Sequence, residues 1–250
     1  MSYVPAQIIF LFSTFCVSMF CLRGIIGERA GYFLAAAVPA VLANFIAGQI
    51  GFLSAALLVG ALVMLVVRPI LAGELLGLLT YKPHLGLLFP IVLAASGHWR
   101  AFVAAGIVAV LMALASWAAF GAETWAAFFA NIGHTSQAFL TEGWADFAKL
   151  QTAFGLARTL GGSESLAWTV QAALALSAAA AVTAVWRSRA NYELKAAALG
   201  AGALLATPYL YTCELVVLAV PLALLWRLGR ARADSCRTNS PASHWPACWC

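Results

Sequence analysis

Nine apolar runs follow one another along almost the whole chain, at about 5–22, 32–47, 52–67, 71–80, 85–95, 101–120, 166–186, 196–210 and 215–228. A helix of about 20 residues crosses a hydrocarbon core of ~30 Å, and most of the runs approach that length. In water such a chain could not cover its own surface: 64% of its 250 residues are hydrophobic and only 9% are charged, where a soluble domain carries about 25% charged residues. Lipid removes the problem, because it asks for an apolar exterior. Alanine and leucine dominate the runs. No polar–apolar alternation over about ten residues is present, which argues against a membrane barrel. The pattern predicts an all-α, polytopic transmembrane helical bundle of about eight spans, with the two shortest runs, 71–80 and 85–95, acting as one in-and-out pair. The helical membrane domain is expected over 1–229, with one long extracytoplasmic loop at 121–164 and a polar, disordered tail at 230–250. The first seven residues carry no positive charge and no A-x-A site follows, so no cleavable signal peptide is expected.

The net charge of +5 is not a nucleic-acid footprint, because the basic residues sit singly or in small groups between apolar runs. They report orientation instead. If the first run ends inside, eleven of the fourteen lysines and arginines fall on that side, and only Lys82, Lys149 and Arg158 fall on the other. The positive-inside rule then makes the first side cytoplasmic. Of the six cysteines, none forms a C-x-x-C pair. His244 with Cys248 and Cys250 can be drawn as a metal site, but the spacing matches no zinc pattern, and no metal or other cofactor is expected. The tail has no periodicity, and its composition fits a shifted reading frame as well as a natural terminus.

The short pair is the most informative break. A helix of about 12 residues rises only ~18 Å, so a chain entering at Pro69 reaches Tyr81-Lys82-Pro83-His84 before clearing the bilayer. Irregular backbone and a lysine at that depth are tolerated where protein or a water-filled cavity surrounds them. One reading is an outward-facing cavity with Lys82 and His84 near its floor or wall; the other is a tilted pair whose lysine snorkels to the interface. Other polar residues gather on the same outer side: Asn44, Gly48 and Gln49 at one turn, Pro208, Tyr209 and Tyr211 at another, and Glu214 opening the last run. The long loop carries Trp125, Phe128 and Phe129, then Trp144, Phe147, Lys149 and Gln151. Their near-helical spacing predicts short amphipathic helices on the membrane surface, or simply an aromatic belt.

Soluble-enzyme signatures are missing: there is no G-x-S-x-G, P-loop, H-E-x-x-H or G-x-G-x-x-G. Any chemistry must come from dispersed residues that meet on the outer side. Lys82 is the best partner for a phosphate, as a point charge in a partly dry place. His84 could donate to the same group. Lys149 and Gln151 form a second polar pair, and Glu74 is a carboxylate within an apolar run, which makes it a functional candidate. Among the outer carboxylates, Glu123, Glu142 and Asp146 are more simply read as solvated.

In this order, Asn44 to Gly48-Gln49 and Phe52, Leu71 through Lys82-Pro83-His84 to Gly86, Gly97-His98-Trp99-Arg100, Phe120 to Trp125, Lys149-Leu150-Gln151 to Gly155, and Thr207-Pro208-Tyr209 resemble the glycosyltransferase family 87 proteins. The resemblance covers about residues 35 to 228. It implies a GT-C-like fold in a bacterial inner (plasma) membrane. It also implies transfer of a hexosyl group, mannosyl in the best-known members, from a polyprenyl phosphate-linked sugar to an acceptor on the outer face. Substrate-binding residues are then expected among Lys82, His84, Gln49, Lys149, Gln151 and Tyr209. The partners are the lipid-linked donor, the bilayer and an acceptor of unspecified kind.

The departures concern the catalytic base. In GT-C enzymes it is an aspartate in the first outer loop, and this chain has no such loop. Its only aspartates, Asp146 and Asp234, do not match that position. After the Pro-Tyr turn, Thr212 and Cys213 stand where the family often has an aspartate and a tyrosine, with Glu214 following. Asp146 and Glu214 are the remaining candidates for catalysis. The sequence is therefore expected to be a family member truncated at both ends and impaired or inactive alone. A transporter or flippase of a lipid-linked substrate and a non-catalytic membrane protein are the alternatives.

Overall fold

The computed structural model describes residues 3–27, 39–144 and 146–239. At 3, 135, 136 and 234–239 it describes the backbone alone, and His244, Cys248 and Cys250 lie outside the described residues. The chain is all-α: α1 Tyr3–Ile26, α2 Pro39–Ala47, α3 Gly51–Met64, α4 Pro69–Leu78, α5 Leu88–Ala95, α6 Trp99–Ser136, α7 Ala153–Thr159, α8 Glu164–Arg187, α9 Tyr192–Ala206 and α10 Ala219–Asn239. Its only β feature among the described residues is a single bridge between Leu150 and Tyr211. Among the described residues, four segments are long and apolar enough to cross a membrane: Val4–Ile26, Trp99–Thr141, Glu164–Arg187 and Thr212–Ala233. Three shorter apolar ones join them: Gly51–Met64, Pro69–Tyr81 and Pro83–Ala95.

Prolines and glycines punctuate the bundle where the site will be. Pro83 keeps Lys82 out of the helical region, with φ −124° and ψ 74°, because its ring disfavours that region for the preceding residue. The short pair is thus α4, two 3-10 turns (Leu79–Tyr81 and Pro83–Gly86) and α5. Pro208 does the same to Thr207, which ends α9. Pro221 lacks the N–H that would reach Val217, and the last segment accordingly opens as a 3-10 helix, Thr212–Leu218, before α10 begins. The helical run from Trp99 breaks at Gly121, whose φ of 80° and ψ of 167° are not helical. Its first arm, 99–120, rises about 33 Å at 1.5 Å per residue, close to one bilayer crossing. The long loop begins as the second helical arm. Trp125, Phe128, Phe129 and Ile132 recur along it at helical spacing, and Phe128, Phe129 and Ile132 are more than half exposed.

Packing follows membrane rules. Gly73 and Gly77 on α4 let α6 approach closely: an added Cβ at Gly77 would lie 2.6 Å from Val108 Cβ, and one at Gly73 would strike the Ala101 carbonyl. Small residues four apart are the usual device for bringing two membrane helices together. The main core runs through α3, α5, α9 and α10, with Phe52, Leu62, Val92, Leu199 and Val220 buried. Phe12, Phe15, Phe45 and Phe52 join α1, α2 and α3 through tilted and edge contacts of 4.9–5.6 Å. A second, smaller core of Leu140, Leu150, Phe154 and Ala167 lies under the long loop and carries Tyr209 and Tyr211 on its flank. Large apolar side chains such as Ile107, Leu114 and Leu176 point outward, as a lipid-facing surface requires.

Candidate functional site

The break between α4 and α5 meets the start of the last segment. Lys82 Nζ donates to Glu214 Oε1 at 2.6 Å, and both side chains are over nine-tenths buried. His84 Nε2 lies 3.6 Å from the same oxygen, beyond hydrogen-bond distance, and is itself buried without a partner. Glu214 Oε2 accepts from the Tyr211 N–H at 3.4 Å, and the Glu214 N–H returns a bond to Tyr211 O at 2.8 Å. Beside them the Tyr81 hydroxyl shares a hydrogen bond of 2.8 Å with Ser54 on α3. Lys82 therefore neither snorkels to the surface nor stands free in a cavity; its charge is already matched by a carboxylate 132 positions away. A buried ion pair costs desolvation that its attraction roughly repays, so its presence argues for a role beyond stability.

Next to this pair is a cavity of about 530 Å³ lined by Ala43, Ala47, Gln49, Phe139, Lys149, Tyr209, Tyr211, Thr212 and Cys213. Glu214 follows the wall residue Cys213 in sequence and does not itself line the cavity. Three residues picked from the sequence, Gln49, Lys149 and Tyr209, line it together, whereas Lys82 and His84 do not. Gln151 faces a neighbouring cavity of about 430 Å³ and donates to Thr212 Oγ1 at 3.4 Å. A third space, about 390 Å³, lies on the helix side of the break, between α4, α5 and α6. Its wall is almost all hydrocarbon, including Leu79, Pro83, Leu87, Phe89 and Phe102. Asp146 stands apart from the ion pair. It is exposed, at φ 62°, and its Oδ1 caps the Phe147–Lys149 turn by accepting from Ala148 N at 3.0 Å, which a short acidic side chain does well in a left-handed position. Glu74 lies on an exposed face of α4. Burial, first, and the nearby Glu214 charge, second, push the Tyr211 phenol up from its ordinary value, so that it stays a neutral hydroxyl on the cavity wall.

Sequence reading missed the residue that sets the two cavity walls in register. Gln171 on α8 is 2% exposed. Its Nε2 faces the carbonyls of Leu205, Ala206 and Thr207 at 3.1, 3.4 and 3.3 Å, and its Oε1 accepts from Phe154 N at 3.2 Å. It caps the open end of α9 and ties it to α7. From there Thr207 Oγ1 accepts from Tyr209 N, and Gln151 N donates to Leu210 O at 2.7 Å. The only signal in the sequence was a glutamine inside an apolar run.

Fold and site together define an all-α, multi-pass membrane protein with a buried acid–base cluster where a broken helix pair meets an irregular turn. Residues 1–208 match the family model described as Glycosyltransferase family 87, and the chain belongs to that family of membrane glycosyltransferases. The match begins well before residue 35, the start of the resemblance seen in the motifs. It ends at Pro208, so Glu214 lies beyond it. No curated protein and no solved structure matches the chain.

Proposed function

We propose that the protein transfers a hexosyl group, mannosyl by family precedent, from a polyprenyl phosphate-linked donor to an acceptor hydroxyl. In this reading the reaction takes place on the extracytoplasmic side of a bacterial inner membrane. The buried Lys82–Glu214–His84 cluster carries the reading. It supplies a cation for the donor phosphate, a carboxylate for the acceptor proton and a second donor beside both. The acceptor oxygen attacks the anomeric carbon as the bond from that carbon to the phosphate oxygen breaks. The phosphate leaves with the bonding pair, and Lys82 stabilises its developing charge. The acceptor proton passes to the Glu214 carboxylate as general base. The nearly all-hydrocarbon cavity beside Pro83 suits the isoprenoid chain, and the polar cavity lined by Gln49, Lys149 and Tyr209 suits the acceptor. The distribution of lysines and arginines supports the sidedness.

The test is transfer of labelled mannose from polyprenyl phosphate mannose by membranes containing the wild-type chain and its Glu214→Gln variant. Transfer that depends on Glu214 is expected. Transfer of undiminished rate by Glu214→Gln would remove Glu214 as the base, and absence of any transfer by folded, inserted wild-type protein would overturn the reading for this donor.

A further inference from the structure

We propose that Lys82 serves two anions in turn: the phosphate of the donor displaces Glu214 from the Lys82 ammonium, and the released carboxylate moves to His84, so that donor binding itself uncovers the base. This inference rests on the reading of Lys82 as the phosphate partner given above.

Three observations lead to it. Lys82 is a single point charge, and Glu214 holds it at 2.6 Å in a buried place. A phosphate oxygen that takes another of the three ammonium N–H groups brings a second anion against that carboxylate, and the two repel each other in the same buried place. A carboxylate engaged with an ammonium is also a poor base, because its charge is already stabilised by the hydrogen bond. The second observation is an alternative seat. His84 Nε2 is buried, has no hydrogen-bond partner and lies 3.6 Å from Glu214 Oε1. A buried imidazole nitrogen without a partner is costly, and a shift of under an ångström by the carboxylate would satisfy it. The third is a pivot. The Tyr211 N–H holds the other oxygen, Oε2, at 3.4 Å, so Oε1 can swing from Lys82 toward His84 while the carboxylate stays tethered. Tyr81, another polar neighbour, already has Ser54 as its partner.

Glu214 has two partners within reach and satisfies one, which is the arrangement of a two-position element biased by a ligand. The consequence runs against the usual effect of deleting a binding-site residue. Removing the Glu214 charge removes the competitor, and the anion should bind more tightly.

The experiment measures binding of farnesyl phosphate, a short isoprenyl phosphate, to the purified full chain in detergent. Glu214→Gln is expected to tighten binding by about five- to tenfold, the low end of common coupling between two ligands. Glu214→Asp, one methylene shorter and still charged, is expected to give a smaller gain in the same direction, and it decides the matter if the glutamine variant does not fold. Lys82→Ala is expected to weaken binding. Unchanged or weaker binding by the Glu214 variants, with Lys82→Ala impaired, would overturn the exchange and leave Lys82 as the phosphate partner. Unchanged binding by Lys82→Ala would overturn both.

Discussion

The two ends of the bundle handle buried polar groups in opposite ways. At the end where α8 turns into α9, an aromatic knot closes the structure. Trp186 Nε1 donates to Lys195 O at 2.7 Å, and the Tyr192 hydroxyl donates to Leu62 O on α3. His98 stands edge-on to Trp186 at 5.6 Å, with its Nδ1 2.9 Å from Ser96 Oγ. Each of these polar atoms has a fixed protein partner, so the knot joins α3, α5, α8 and α9 with nothing left over. At the other end Lys82, His84 and Glu214 share too few partners, and the Asn44 amide nitrogen, 0% exposed on α2, has none. A completed hydrogen-bond set holds helices together; an uncompleted one keeps a place for chemistry.

The largest expected effect breaks the second end. Glu214→Gln should lower transfer by about 10²- to 10⁴-fold, the range for loss of a general base. Lys82→Met or Glu214→Leu alone should each cost about 3–5 kcal/mol of stability by leaving one buried charge, while the double variant recovers most of it and stays inactive. Thermal unfolding in detergent and mannosyl transfer read the two effects apart.

At the knot the expectation is reversed. Trp186→Phe should cost about 1–3 kcal/mol, because the Lys195 carbonyl loses its donor, with transfer per folded molecule unchanged. A loss of transfer at full stability would mean that the two ends are coupled. Gly73→Ala, where the added methyl strikes the Ala101 carbonyl, should cost about 1–3 kcal/mol and lower the melting temperature without altering farnesyl phosphate affinity.

The smallest effect concerns pH. Burial first, and the Lys195 charge second, hold the His98 imidazole below its ordinary value of 6.5, against an opposing pull from Ser96. Between the folded value and 6.5 the unfolded chain binds more protons than the folded one. The contribution of neutral His98 is therefore complete above 6.5 and declines as pH falls through that window. His98→Gln should flatten the acid limb of a melting-temperature profile; an identical limb would assign it to other groups.

Much of the fold was legible because a bilayer imposes one strong rule, the apolar run, and because proline stops runs at Lys82-Pro83 and Thr207-Pro208 for local reasons. The grouping of Gln49, Lys149 and Tyr209 was legible as well, since each is a polar or aromatic residue at a turn on one side. The pairing of Lys82 with Glu214 was not. The sequence marked both residues, but nothing local says that a lysine in one break meets a carboxylate 132 positions later. Trp186 shows in the sequence only as the end of an apolar run, nothing there marks Tyr192, and the role of Gln171 is hidden because its partners are backbone groups, which every residue has.

Gln171 has a consequence for how such a chain can change over generations. One amide holds the end of α9 and the first turn of α7, and through them the two strips of chain, 149–154 and 207–211, that bring Lys149, Tyr209 and Tyr211 to the polar cavity. Neither strip can drift alone without loosening the other. Substitutions at Lys149 and Tyr209 should therefore be epistatic although the residues lie far apart in sequence, and a lineage that reshapes one strip for a new acceptor should carry matching changes in the other while its glutamine stays in place.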